Sequence, residues 1–203
     1  MYRFISKVLL IVLFCLACQH VAPTPILVIG LTNANDKTVQ LYSDCSEGAN
    51  YKPDKGTCNP EELELQTVAT MELAKNFISA DINQPIGYDI YLKTAEIYFR
   101  IAQRNGNDYS EAERISRQFF EVQKASSGRA LTDARYHWTI RTAAHAGWQL
   151  FNNRSGLNPD RKTELMLSHK EGTLGLQDIE PGPRKVRLQE SLKVLKSIID
   201  ALP

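Results

Sequence analysis

The feature that most constrains the fold is a helical repeat of apolar residues that runs from Asn59 almost to the C-terminus. Segments with apolar residues three and four positions apart alternate with short breaks that contain Gly, Pro or Asn. This spacing places the apolar side chains of each segment on one face of an α-helix. Six helices joined mostly by short loops predict an all-α fold of stacked antiparallel hairpins over residues 59–203.

The first and last of these helices carry the clearest signals. The sequence "NPEEL" offers Asn59 as N-cap and Pro60 at the first helical position. The predicted inward face of this helix is Leu65, Val68, Ala69, Leu73 and Phe77. The last helix, from about residue 183 to 202, has a 4-3-4-3 stripe of Leu188, Leu192, Leu195, Ile199 and Leu202. Such a stripe packs on the domain or pairs with another chain, and its short length favours packing on the domain.

Two further patterns concern the second half of the chain. The long helix predicted from about Leu131 to Asn152 is rich in small residues, Gly147 among them, which predicts close approach of neighbouring helices. A shorter helix is predicted to end near Lys170. The following stretch, "GTLGLQDIEPGPRK", is predicted to be a long interruption because of its glycines and prolines.

The region before Asn59 has a different pattern. Residues 26–44 contain two apolar segments around the turn-like "TNANDK", which predicts a short β-hairpin or, equally, an extended arm. Cys45 and Cys58 flank a polar loop. In an oxidising compartment a disulfide would close this loop, with a gain of about 3 kcal/mol for about 15 residues in the chain-entropy model. Two unpaired thiols are the alternative.

Charge and motifs exclude several functions. The 24 basic and 23 acidic residues leave no basic excess to neutralise phosphates, so nucleic acid is not an expected partner. His137 and His145 lie eight residues apart and do not form a zinc-binding H-E-x-x-H pair, so both are predicted to be packed histidines. Glu111 and Glu113 are predicted on a solvated first turn. No catalytic residue, cofactor site or metal site is therefore predicted.

A dense aromatic group is the main candidate for a binding surface. Its members are Tyr88, Tyr91, Tyr98, Phe99 and Tyr109. At this spacing the rings belong either to the core or to an exposed groove in which a peptide or ligand would stack.

The N-terminus has the pattern of a targeting segment. Arg3 and Lys7 accompany the uncharged ten-residue run Val8–Ala17, which is too short to span a bilayer alone. The sequence Cys15-Leu16-Ala17-Cys18 resembles a bacterial lipobox, although Cys15 stands where that family usually has Leu. The resemblance implies cleavage after Ala17 and acylation of Cys18. Ordinary secretory cleavage and an uncleaved anchor are the alternatives.

The lipobox resemblance gives the domain organisation. Residues 1–17 would be the signal peptide, 18–58 the lipid anchor with a tether and the disulfide-closed loop, and 59–203 the helical domain. Two or three acyl chains would anchor the protein stably in a membrane. Gln19, directly after the cysteine, implies the periplasmic face of the outer membrane if the host is Gram-negative.

A second resemblance concerns residues 95–124, "AEIYFRIAQRNGNDYSEAERISRQFFEVQK". Tyr109, Ala112 and Phe119 fall near the second-helix positions of a tetratricopeptide repeat, but no second copy follows at a period of 34 residues. The resemblance implies a concave surface that binds a partner, and an ordinary helical bundle is the alternative. The expected function is therefore non-enzymatic binding of a partner protein or envelope component. A small-molecule-binding lipoprotein and an enzyme with an unrecognised site are the alternatives.

Overall fold

A computed structural model of the chain describes residues 25–48, 50–101, 106–152 and 158–203. Its helices are α1 (Pro25–Asp44), α2 (Pro60–Ala80), α3 (Pro85–Ile101), α4 (Gly106–Gln123), α5 (Arg129–Asn152), α6 (Lys162–Gln177) and α7 (Pro183–Ala201). A 3-10 turn, Pro159–Arg161, precedes α6. The predicted all-α fold is confirmed. The predicted signal peptide and Cys18 lie outside the described residues.

The β-hairpin or extended arm predicted over residues 26–44 is wrong, because these residues form α1. Leu31 and Thr38 are buried seven residues apart, which puts them on one face of this helix. The Thr38 hydroxyl donates to the Ala34 carbonyl at 2.9 Å. This bond gives the buried Thr38 hydroxyl a partner within the helix. The alternating sequence around Thr38 can therefore form a helix.

Polar contacts hold α1 against α2. The Oγ1 atoms of Thr38 and Thr70 lie 2.9 Å apart, and that of Thr70 is 3.2 Å from the Ala34 carbonyl oxygen. Gln66 Nε2 also donates to this carbonyl, at 3.3 Å. The interface between the two helices therefore depends on hydrogen bonds as well as on apolar contact.

The face of α2 that packs differs from the predicted one. Its buried residues are Leu63, Thr67, Thr70, Ala74, Phe77 and Ile78. Of the predicted inward residues only Phe77 is buried, whereas Leu65, Val68, Ala69 and Leu73 are exposed. The start of the helix is as predicted, since Asn59 is the N-cap and its side chain accepts a hydrogen bond from the Glu62 amide at 3.2 Å.

The predicted disulfide between Cys45 and Cys58 is confirmed. It joins the end of α1 to the residue before the N-cap of α2, and Cys45 is completely buried. Inside the loop, β1 (Ser46–Glu47) and β2 (Asn50–Tyr51) form a small antiparallel hairpin. The disulfide therefore closes a loop that contains a short hairpin.

The chain divides into two compact units, of which the first ends at Thr94 and the second is Ala95–Pro203. The division falls within α3. The boundary between the two units therefore lies inside the helical region predicted over 59–203. Helix α1, which precedes that region, packs against α2 in the first unit.

In the second unit α4, α6 and α7 pack around α5. Trp138 of α5 is completely buried. The predicted packing of the last helix on the domain is confirmed, because Leu188, Leu192 and Leu195 are buried and Leu195 joins an apolar cluster with Ala146 of α5.

The close approach of α5 and α6 depends on two glycines of α6. The sequence pattern predicted that both would lie in the interruption after Lys170. The helix predicted to end near Lys170 extends to Gln177. A Cβ atom on Gly172 would lie 2.4 Å from Thr139 Oγ1, and one on Gly175 would lie 3.0 Å from Arg135 Cβ. Gly147 itself takes no part in the close approach predicted for this helix, since no atom lies within 4 Å of its Cβ position.

Within the part of the chain that the structure describes, no helix combines the length and apolarity needed to cross a membrane.

Candidate binding surfaces

The predicted aromatic group contributes to the cores of both units. Tyr88 and Tyr91 belong to the first unit and are at most 1% exposed. In the second unit Phe99 and Tyr109 are buried and stack with their ring centroids 4.8 Å apart. Tyr98 is half-buried against this pair. These rings therefore adopt the first of the two predicted roles, as core residues.

A buried ionic cluster connects α4, α5 and the turn before α6. Glu113 is buried, contrary to the prediction of a solvated first turn, because α4 turns this residue toward α5. Its Oε2 accepts a hydrogen bond from Nδ1 of His145, which is buried as predicted. Its Oε1 accepts from Arg161 Nη2 at 2.5 Å, and Arg161 also donates to Gln149.

This geometry indicates a structural role for the cluster. Both carboxylate oxygens of Glu113 are bound, each by a side chain from a different segment. The cluster therefore ties α4, α5 and the turn before α6 to one another.

A second cluster surrounds Glu96 of α3. Arg100 Nη2 lies 2.9 Å from its carboxylate and Arg141 Nη2 lies 3.8 Å away, while Arg187 makes a direct hydrogen bond. Burial alone would raise the pKa of Glu96, but Arg187 and Arg141 outweigh this effect and hold the pKa below its ordinary value. Burial also raises the pKa of the nearby Tyr136, so this phenol is neutral at neutral pH.

A cleft of about 770 Å³ lies in the second unit, between the start of α5 and the α6–α7 connection. Its charged lining residues are Arg129, Asp133, Asp178, Glu180 and Arg184. Asp133 pairs with Arg184 at 2.5 Å and with Arg129 at 3.6 Å. The carboxylates of Asp178 and Glu180 belong to exposed residues at the rim. Sequence reasoning missed this cleft because its two walls, the start of α5 and the α6–α7 connection, meet only in the folded chain.

The first unit has an exposed apolar strip on α2, which we term the α2 stripe. It consists of Leu65, Val68, Ala69 and Leu73, and it lies on the side of the helix away from the packed threonines. Leu65 is 72% exposed, Leu73 47% and Val68 43%. A contiguous exposed apolar strip of this kind marks an interaction surface more often than an isolated apolar residue does.

Carboxylates surround the α2 stripe. Glu61, Glu64 and Glu72 are exposed on the same helix. Glu72 pairs with Lys75 at 3.1 Å. Among the described residues Glu61 and Glu64 have no ion-pair partner, so the stripe has a negatively charged border.

The helical spacing predicts that the members of the α2 stripe share one face. The same helix carries a second set of apolar residues, including Leu63, Ala74 and Ile78, and these are the ones that pack. This second set is the sequence feature that could have indicated exposure of the α2 stripe. Because α2 has apolar residues on both sides, spacing alone does not select the packed side.

Comparison of this chain with models of protein families, with characterised proteins and with solved structures finds no match.

Proposed function

We propose that this chain is a lipid-anchored protein of the bacterial cell envelope that binds a partner protein through the α2 stripe, without catalysis. The exposure of three large apolar side chains on one helix face carries this proposal. Burying such surface against a partner contributes roughly 25 cal/mol per Å². The glutamate border favours a partner whose apolar groove or helix is edged with Lys or Arg.

Two features support the envelope location. The lipobox-like sequence that ends at Cys18 is typical of an acylated N-terminus. The Cys45–Cys58 disulfide is typical of proteins outside the reducing cytosol. With Gln19 after the acylated cysteine, the proposed site is the periplasmic face of the outer membrane of a Gram-negative host.

Acylation is tested with a matched pair of cysteine substitutions. Cys18→Ser should abolish acyl labelling and shift the protein from the membrane fraction to the soluble fraction. Cys15→Ser should leave labelling intact, because Cys15 would be removed with the signal peptide. Unchanged membrane association of the Cys18→Ser protein would contradict the anchor.

Partner binding is tested with a photo-cross-linking amino acid in intact cells. Position 68 lies within the α2 stripe, and position 194 on α7 is the control, because both carry a valine that is 43% exposed. A covalent adduct of defined mass should form from position 68 and not from position 194. The same adduct from both positions, or none from position 68, would contradict binding at the stripe.

The cleft in the second unit favours a second candidate function, the binding of a small cationic ligand. The exposed carboxylates of Asp178 and Glu180 would face the positive group, since Asp133 is already paired. A panel of linear diamines should raise the unfolding midpoint of the protein as bound ligand stabilises the folded state. The double variant Asp178→Asn/Glu180→Gln should lose this response. A midpoint unchanged by every diamine would argue against this function.

A further inference from the structure

The N-terminal turns of α1 present apolar side chains that the described chain does not cover. Ile26 is 79% exposed, Ile29 59% and Leu27 53%. Among residues 26–31 only Leu31 is buried, at 3% exposure. The hydrogen bonds that hold α1 on α2 are made by Ala34, Thr38 and their partners, which lie farther along the helix.

Within α1 this patch has no charged neighbours, unlike the α2 stripe on its own helix. Residues 25–35 contain no Asp, Glu, Lys or Arg, and the first charged residues of α1 are Asp36 and Lys37. Lys37 pairs with Glu62 of α2 at 3.1 Å. An apolar surface without charges is suited to the apolar interior of a lipid bilayer. A protein partner would more often be recognised through complementary charges around the apolar contact.

The position of the patch along the chain brings it close to a membrane. This step rests on the proposed acylation of Cys18, which would hold that residue at the bilayer surface. Six residues separate Cys18 from Pro25. A chain of this length spans at most about 25 Å even when fully extended, so the start of α1 must stay within that distance of the lipid headgroups.

We propose that Ile26, Leu27 and Ile29 insert into the interfacial region of the bilayer that holds the acyl chains, and so give the first unit a second contact with the membrane. The acyl chains would prevent dissociation, while the inserted turns would fix the orientation of the first unit relative to the bilayer. Because the patch carries no basic residue, insertion should be independent of anionic lipid and of salt.

The test uses the mature lipidated protein in phosphatidylcholine vesicles. The fluorophore NBD is attached to the single cysteine of Ile29→Cys, since Cys18 is acylated and Cys45 and Cys58 are bridged. Val39→Cys, at a residue of the same helix that is 51% exposed, is the control. NBD emission at position 29 should be blue-shifted and quenched several-fold more by nitroxide-labelled lipid than emission at position 39. Leu27→Cys provides a second labelled variant and should behave like Ile29→Cys.

Each other outcome overturns the inference in a recognisable way. Equal, weak quenching at positions 27, 29 and 39 in protein shown by mass spectrometry to be acylated would refute insertion and leave the anchor intact. A blue shift that grows with protein concentration without vesicles would show that a second copy covers the patch. A shift that requires a co-purified protein would assign it to a protein partner. Absence of acyl groups on Cys18 would instead refute the anchor, and insertion with it.

Discussion

Helices α2 and α7 carry apolar stripes of similar spacing, but the stripe on α7 is buried and the stripe on α2 is exposed. Leu188, Leu192 and Leu195 of α7 are buried in the second unit, whereas Leu65 and Leu73 of α2 face solvent. The packed side of α2 instead carries two threonines together with Leu63, Ala74, Phe77 and Ile78. An amphipathic pattern therefore identifies residues that share one face of a helix. Whether that face stabilises the fold or is available for binding depends on which side of the helix packs against its neighbours.

Truncating one leucine in each stripe should give the largest contrast. Leu195→Ala should lower the free energy of unfolding by about 2–5 kcal/mol, because it removes a fully buried side chain and leaves a cavity. Leu65→Ala should change it by no more than about 0.5 kcal/mol, as for other surface substitutions. Urea denaturation followed by circular dichroism measures both. Equal losses would show that the α2 stripe is part of a core.

Two glycine substitutions distinguish close helix packing from loose packing within the second unit. Gly172→Ala should destabilise the protein by about 1–3 kcal/mol, because the added methyl would overlap the Thr139 side chain. Gly147→Ala should stabilise it by up to about 1 kcal/mol, because alanine favours the helix and its Cβ position is open. Thermal unfolding of the two variants tests the signs, and a stabilised Gly172→Ala protein would contradict the close approach of α5 and α6.

The partly buried carboxylate of Glu96 in the second unit should contribute to stability in a pH-dependent way. Glu96 has a lowered pKa in the folded state, so its ionised form stabilises the fold above the ordinary Glu pKa, and this contribution disappears as the pH falls through the lowered value. Glu96→Gln should cost about 1–2 kcal/mol at neutral pH through the loss of charged hydrogen bonds. The difference from the wild type should shrink in acid. Glu61→Gln is the exposed control, and a Glu96→Gln effect that is constant with pH would contradict the ionic origin.

The threonine contact between α1 and α2 should give the smallest effect. Thr70→Val should cost about 1 kcal/mol, because it leaves the Thr38 hydroxyl without this buried partner. Adding Thr38→Val to Thr70→Val should lower the free energy of unfolding by less than about another 1 kcal/mol, because both hydroxyls are then replaced by apolar groups. A double-mutant cycle by urea denaturation measures the coupling. Strict additivity of the two effects would show that the two hydroxyls do not interact.

The features that sequence predicted well are those that depend on neighbouring residues. The Asn59 cap, the apolar face of α7 and the Cys45–Cys58 pair each follow from spacing or chemistry over a few turns. The features that sequence missed depend on distant partners. Glu113 is buried against His145 and Arg161, and Gly172 lies within α6 where Thr139 of α5 comes close to it.

The candidate surfaces follow the same rule. The residues of the α2 stripe were identified from sequence, but their exposure depends on which side of α2 packs against α1. The aromatic residues were identified as a group, and their assignment to the core required the positions of all the helices. The cleft had no sequence signal because its lining comes from the start of α5 and from the α6–α7 connection, which lie far apart in the sequence.

The most direct test of the central claim, that the α2 stripe binds a partner and does not stabilise the fold, is a combined variant, Leu65→Gln/Val68→Gln/Leu73→Gln. Glutamine is a good helix former, so the helix itself should persist. The control is Val186→Gln/Val194→Gln on α7, which changes two other exposed apolar residues. The measurement is the size of the complex that contains this protein in detergent extracts of the membrane, together with the unfolding midpoint. The account predicts that the triple variant loses the complex at a nearly unchanged midpoint while the control keeps it. A triple variant that retains the complex would contradict the claim.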